Sequence, residues 1–167
     1  MSLKKIHAVL AVLLIITATF TSLAAPPSRP LPVTNFTKAK ISTLQIEQAY
    51  ETILARYRKV LPSDLLIRIA PDKITRIDIV EQTSRPELSE AGLTQAVVDL
   101  DNGEIEEITI EVKPQYRQGR RQVSFQDLIE HELAHAFAFM IGLPQAREIG
   151  HSIQIEDLRF PTPAAAH

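Results

Sequence analysis

Apolar residues recur at three- and four-residue intervals in two stretches of the chain, and this spacing predicts two amphipathic helices. The first helix should begin at Ser42, which has the capping-box spacing to Gln45. The second should begin at Ser124, three residues before Asp127, and run to about Ile141. The predicted core face of the second helix consists of Phe125, Ile129, Leu133, Ala136 and Met140.

Between the two predicted helices the period changes to two, which is typical of β-strands. Alternating segments cover residues 65–70 and 74–79. The clearest hairpin joins residues 97–100 to residues 105–112 through the turn Asp101-Asn102-Gly103. These elements predict an α+β domain with a small, mostly antiparallel sheet.

Three other segments carry weaker signals. The polar stretch from 83 to 92 and the basic stretch from 113 to 122 both predict loops. Residues 145–158 predict a short additional helix, although Gly150 disfavours it. The chain of 167 residues is long enough for one compact domain.

The beginning of the chain predicts an export signal over residues 1–24. Lys4 and Lys5 precede an apolar run, and residues 22–24 fit a small-x-small cleavage site. The run is shorter than the roughly 20 residues of a spanning helix, so cleavage is favoured over a stable membrane anchor. We therefore expect a periplasmic or secreted protein with a proline-rich lead-in (25–40), a single folded domain (41–160) and a tail (161–167).

Composition narrows the function classes. The formal net charge of −2 argues against a nucleic-acid partner, since nucleic-acid binders carry a basic excess. The chain has no cysteine, so an exported form has no disulfide framework. Its stability must come from the core and from any bound metal.

His131 and His135 form the most informative pattern in the chain. They lie one helical turn apart, away from the predicted core face, so their rings can converge on one point. Zinc takes imidazole nitrogens at about 2.0–2.1 Å. Glu132 is too close in sequence to bind the same ion easily, but it can take a proton from a zinc-activated water. The alternative is a polar patch on an amphipathic helix.

The spacing His131-Glu132-x-x-His135 matches the HExxH motif, and here the chain resembles the zincin-type metallopeptidases. The resemblance implies that His131 and His135 hold one zinc ion and that Glu132 is the general base in peptide-bond hydrolysis. Zincins usually place an antiparallel edge strand above the active-site helix, where extended substrate docks. Residues 105–112 are the candidate strand, with Ile108 and Ile110 as candidate substrate contacts.

The chain departs from the named zincin subfamilies. The metzincin pattern requires a glycine and a third histidine where this chain has Ala138 and Ile141. A Met-turn is also missing, because the only methionines are Met1 and Met140. The sequence therefore assigns no subfamily.

The third ligand must come from elsewhere, because a catalytic zinc takes three protein ligands and keeps one open position. His151 is the leading candidate by elimination, since His7 lies in the predicted signal and His167 is the last residue. Glu148 and Glu156 remain alternatives. Glu148 and His151 would share a face of a helix, so one could bind zinc while the other orients a ligand.

Tyr116 lies in the basic stretch before the second helix and is a candidate oxyanion donor or substrate contact. A half-buried aromatic in a solvated loop is the simpler interpretation. The sequence predicts a zinc metallopeptidase that acts on a peptide or protein. The alternative is a non-catalytic zincin-like domain that binds a peptide or a protein partner.

Overall fold

The computed structural model describes residues 30–88 and 90–160. The predicted signal peptide, the first part of the lead-in and the tail lie outside the described residues. The described chain forms an α+β domain with three α-helices: α1 (Thr43–Arg58), α2 (Ser63–Leu66) and α3 (Phe125–Met140). No helix in the described ranges is long and apolar enough to cross a membrane.

Four strands form the main sheet, in the order β1-β2-β4-β3. They are β1 (Val33–Asn35), β2 (Ile74–Ile79), β3 (Gly92–Val98) and β4 (Ile105–Val112). The pairs β1–β2 and β2–β4 are parallel, and only β3–β4 is antiparallel. The sheet is therefore mixed, and the prediction of a mostly antiparallel sheet is wrong.

The predicted hairpin is present as β3 and β4, but its position in the sheet differs from the prediction. The hairpin docks on β2 through β4, so β4 is an interior strand and β3 is the edge strand. The side chains of Ile108, Ile110 and Val112 are fully buried. Residues 105–112 are consequently not an edge strand, and Ile108 and Ile110 belong to the core rather than to a substrate surface.

Helix α1 follows its sequence signals closely. The Ser42 side chain accepts a hydrogen bond from the Leu44 backbone N–H, and the Gln45 side chain accepts one from the Ser42 backbone N–H. This reciprocal capping satisfies donors that the first helical turn leaves free. The buried face comprises Ile46, Ala49, Tyr50, Ile53, Leu54 and Tyr57.

Helix α3 is the central element, because it packs against β3 and β4 and also against α1. Its N-cap Ser124 accepts a hydrogen bond from the Asp127 backbone N–H at 3.1 Å, as predicted. All five predicted core positions are buried. On the α1 side, the Tyr57 hydroxyl donates to the Ala134 carbonyl at 2.9 Å, which fixes the helix that carries the histidine pair.

Three segments differ from their predicted structure. A strand was predicted over residues 65–70, but residues 63–66 form α2 and residues 67–70 form no strand. Pro62 starts a helical turn, and the alternation is too short to decide. The predicted basic loop contains a hairpin of β5 (Tyr116–Gln118) and β6 (Arg121–Val123). The predicted helix at 145–158 is a series of turns with a 3₁₀ segment at Ile155–Asp157.

The folded domain also begins earlier than predicted. β1 lies inside the segment assigned to the lead-in, and Leu31 is buried in the core. The pairing of β1 with β2 is parallel and joins residues far apart in sequence. Short-range patterns carry no signal for such a pairing.

Candidate metal centre

Three histidines lie close together at the surface of α3. His131, His135 and His151 each offer one ring nitrogen, and these nitrogens lie within 4.8 Å of one another. Nε2 of His135 and Nε2 of His131 are 3.1 Å apart. The predicted convergence of the helical pair is confirmed, and His151 joins it from the segment after α3. The three side chains are close enough to bind one metal ion.

The orientation of His135 is fixed by a backbone group. Its Nδ1 lies 2.8 Å from the carbonyl oxygen of Ala146, which can only accept. Nδ1 therefore carries the proton and donates it to this carbonyl, which leaves the lone pair of Nε2 directed at the other histidines. A metal-binding histidine usually needs a partner of this kind on its second nitrogen.

A chain reversal after α3 brings His151 to the pair. The helix ends at Met140 with Ile141 as its C-cap, and Gly142 follows with a positive φ of 72°. A second reversal is closed by the Gly150 N–H, which donates to the Ile153 carbonyl at 2.8 Å. The His151 N–H donates to the Glu148 carbonyl at 3.0 Å in the same turn.

Gly150 is required for two reasons at this turn. Its φ of +77° is a conformation that residues with a Cβ rarely adopt. A Cβ at this position would also lie 2.6 Å from Nδ1 of His131. The chain therefore passes directly against the His131 ring, and His151 follows immediately.

The electrostatics of the site favour neutral imidazoles at His131 and His135. Burial, together with the neighbouring His135 and His151, lowers the pKa of His131 to about 4. Burial also lowers the pKa of His135, although its hydrogen bond to Ala146 acts in the opposite direction. Because a histidine binds a metal through an unprotonated nitrogen, the cluster is ready to bind a cation at neutral pH.

Glu132 is buried between α3 and the edge strand β3. The Thr94 hydroxyl lies 2.7 Å from Oε2 of Glu132 and 3.0 Å from its backbone carbonyl oxygen. Burial raises the pKa of Glu132 to about 7, while the Thr94 hydrogen bond lowers it and the charge of Glu90 raises it further. A carboxyl group with a pKa near neutrality can both accept and release a proton.

Gly92 makes the close approach of β3 to Glu132 possible. A Cβ at residue 92 would lie 2.5 Å from Oε1 of Glu132 and 2.7 Å from its Cγ. Only a glycine leaves room for the carboxylate in its present position. Thr94 and Gly92 thus act on the same side chain from one strand.

The alternative third ligands lie outside the cluster. Glu156 forms two hydrogen bonds to Arg56, from Nε at 2.8 Å and from Nη2 at 2.9 Å. Glu148 is exposed and contributes its backbone carbonyl to the turn that carries His151. Of the three candidates weighed from sequence, only His151 has its side chain with the histidine pair.

The structure places Tyr116 in the β5–β6 hairpin. It pairs with Val123, and Nζ of Lys113 lies 5.8 Å from the centre of its ring. Within the described residues Tyr116 makes no hydrogen bond to the histidines, and its ring packs against the core.

The histidine cluster is accessible from solvent. His151 is exposed. A cavity of about 210 Å³ lies beside His131, between α3, Arg56 and the turn at Gly150, but His135, His151 and Glu132 do not line it. The exposure of His151 leaves the cluster open to solvent on one side, whereas a structural metal site is closed by protein ligands.

Sequence reasoning missed four residues of the site: Gly92, Thr94, Ala146 and Gly150. Thr94 and Gly92 lie on a strand whose edge position depends on the parallel β2–β4 pairing. Ala146 contributes only a backbone carbonyl, which any residue has. Of these four residues, Gly150 is the one that the sequence could have indicated. A glycine one residue before a candidate ligand indicates a turn or a close approach of the backbone.

Comparisons with protein-family models, with curated proteins and with solved structures found no match. The site is therefore defined by its own geometry, as three histidines able to bind a metal ion beside a buried glutamate in an α+β domain.

Proposed function

We propose that the protein is an exported zinc metallopeptidase with a zincin-like arrangement of its active site. One observation carries the proposal: three histidine nitrogens lie within 4.8 Å of one another, and the buried Glu132 is adjacent in sequence to His131. Three ligands plus an open position are typical of catalytic zinc.

The donor set supports zinc among the available metals. Neutral imidazoles bind zinc, copper, iron and nickel well, whereas calcium and magnesium prefer oxygen ligands. Ligands at 2.0–2.1 Å around a tetrahedral zinc lie about 3.3 Å from each other. The 3.1 Å between Nε2 of His131 and Nε2 of His135 is close to that separation.

His131, His135 and His151 would hold the zinc ion, which when bound would supply a Lewis acid for the scissile carbonyl and would lower the pKa of its water to about 7. Glu132 accepts the proton of the attacking water and later delivers it to the leaving amine. Thr94 holds the carboxylate in place through Oε2.

Among the described residues β3 is an edge strand, and its outer edge offers a place for an extended peptide. The Lys113 N–H donates to the Ala91 carbonyl at 3.0 Å, next to the Gly92–Val112 pair. Hydrogen-bonded pairs alternate along an antiparallel ladder, so the backbone groups of Thr94 and Ala96 point away from β4. A substrate can add to this edge as a further strand.

A combined zinc and cleavage measurement tests the proposal. The zinc-loaded protein is incubated with a broad peptide library, and the products are identified by mass spectrometry. Glu132→Gln keeps the size of the side chain but removes the base, so it should retain one zinc ion per chain and cleave nothing. Glu51→Gln, an exposed change on α1, should leave both zinc content and cleavage unaltered.

Two results would contradict the proposal in different ways. If the wild-type protein holds zinc but cleaves no peptide, the site binds metal without peptidase activity. If Glu132→Gln cleaves as fast as the wild type, the reaction does not use this glutamate and the assigned mechanism is wrong.

A further inference from the structure

Glu90 lies at the entrance to the edge strand, two residues before Gly92. Gly92 is in direct contact with the Glu132 carboxylate, since a Cβ there would lie 2.5 Å from Oε1. Two residues span at most about 7 Å of chain, so Glu90 is close to the same carboxylate. Consistent with this position, the charge of Glu90 contributes to the raised pKa of Glu132, after burial and against the effect of Thr94.

The Glu90 carboxylate is incompletely satisfied. Its Oε2 is buried and has no hydrogen-bond partner among the described residues. Buried carboxylate oxygens are nearly always paired, because the loss of hydration is otherwise uncompensated. The Glu90 Oε2 atom can therefore accept a hydrogen bond from a group that the described residues do not supply, such as a water, an ion or a ligand.

The described part of the chain supplies no cation for Glu90. The ion pairs there join Arg56 to Glu156 and Arg76 to Asp78. The metal cluster consists of His131, His135 and His151, without Glu90. The carboxylate of Glu132 is a second acidic group near Glu90. Their combined charge favours a positively charged donor over a neutral one.

We propose that Glu90 binds an ammonium or guanidinium group of the substrate and thereby selects cationic peptides. The proposal rests on the proposed peptidase function. An extended peptide on the edge of β3 passes Glu90 at the Gly92 end of the strand. The cationic group is either a free amino terminus or a lysine or arginine side chain, and the two sources present the same chemistry to the carboxylate.

Peptides that are matched in length and side-chain shape but differ in charge test whether Glu90 recognises the charge. The probes are six-residue alanine peptides that carry a single lysine or a single norleucine, each with a free or an acetylated amino terminus. Wild type and Glu90→Gln are compared for kcat/KM on every probe. Glu87→Gln, an exposed change in the same loop, is the matched control.

Glu90→Gln should lower kcat/KM at least about tenfold on the probes with the recognised charge, the scale of one charge-assisted hydrogen bond. It should change kcat/KM less than about twofold on the matched neutral probes, because Glu90 makes no contact with them. A loss of kcat/KM confined to the probes with a free amino terminus identifies that terminus as the group that Glu90 binds. A loss confined to the lysine probes identifies the lysine side chain. Equal loss on charged and neutral probes, or no loss on either, overturns the proposal.

A binding measurement keeps this result separate from the peptidase function. If the wild type cleaves no probe, the peptidase function fails, and zinc-loaded Glu132→Gln is compared with Glu132→Gln/Glu90→Gln for binding of the same probes by calorimetry. A selective loss of affinity for charged probes supports the role of Glu90. Equal affinities in the two proteins overturn it.

Discussion

The Thr94 hydroxyl donates a hydrogen bond to Oε2 of Glu132 at 2.7 Å, which links the edge strand to the helix that carries the histidine pair. The same hydroxyl lies 3.0 Å from the Glu132 carbonyl oxygen. The Thr94 side chain therefore fixes the position of Glu132, the proposed base, relative to β3, the strand on which we propose that substrate binds.

Thr94→Val should remove this link with little change in volume. A hydrogen bond to a charged group contributes about 1.5–3 kcal/mol, so kcat should fall at least about tenfold. The bond favours the charged carboxylate, so its loss should raise the pKa of Glu132 and move the acidic limb of the kcat/KM profile to higher pH. Thr94→Ser keeps the hydroxyl and should retain both the rate and the profile. An unshifted profile in Thr94→Val would contradict this role.

Gly92→Ala should displace Glu132, because the new Cβ would lie 2.5 Å from Oε1. Peptide cleavage should fall at least about a hundredfold, the scale of a misplaced catalytic group, while the proposed metal ligands remain in place. Overpacking should cost about 1–3 kcal/mol in the free energy of unfolding. The double variant Gly92→Ala/Glu132→Ala removes the conflict, so the alanine should be less destabilising in that background. Additive effects on unfolding in urea would count against a direct contact.

Gly150→Ala should weaken metal binding. The new Cβ would lie 2.6 Å from Nδ1 of His131 and force this ring to move. Gly103→Ala is a matched control, since Gly103 has a similar positive φ of 74° and an added Cβ would meet nothing within 4 Å. Both variants should lose about 1–2 kcal/mol of stability from backbone strain. Only Gly150→Ala should lose zinc affinity, and an equal loss in both would contradict the account.

Glu156→Gln tests the structural role of the Arg56 ion pair. The hydrogen bond from Arg56 lowers the pKa of Glu156 to about 2. A lowered carboxyl pKa stabilises the fold above the ordinary value of 4.5, and this contribution is lost as the pH falls through about 2. Because the pair is largely exposed, the loss at pH 7 should be about 1 kcal/mol or less, and it should shrink at pH 3.

Urea unfolding at the two pH values measures this difference, with Glu148→Gln as the control. Glu148 is an exposed glutamate of the same segment and forms no ion pair within the described residues. Zinc affinity should be unchanged in both variants. Loss of zinc from Glu156→Gln would show that the carboxylate binds the metal instead of Arg56.

The parts of the fold that were predicted correctly depend on local signals. Ser42 and Ser124 cap their helices as their spacing to Gln45 and Asp127 indicates. The turn at Gly103, which has a φ of 74°, joins β3 and β4 as predicted. In each case the residues that determine the structure lie within a few positions of one another.

The parts that were missed depend on contacts between distant segments. The parallel pairing of β2 with β4 moves β4 into the sheet and makes β3 the edge, and no alternation along β4 encodes this. The same pairing places Thr94 beside Glu132. His151 was only the leading candidate among three, because its position depends on the two reversals at Gly142 and Gly150.

Zinc affinity measured by competition with a chromophoric chelator tests the three-histidine centre most directly. The wild-type protein should bind one zinc ion per chain, and His151→Ala should weaken binding at least about a hundredfold, more than the loss of a supporting hydrogen bond. Glu148→Ala should bind as the wild type does. Absence of stoichiometric zinc binding in the wild type, or unchanged affinity in His151→Ala, would contradict the account.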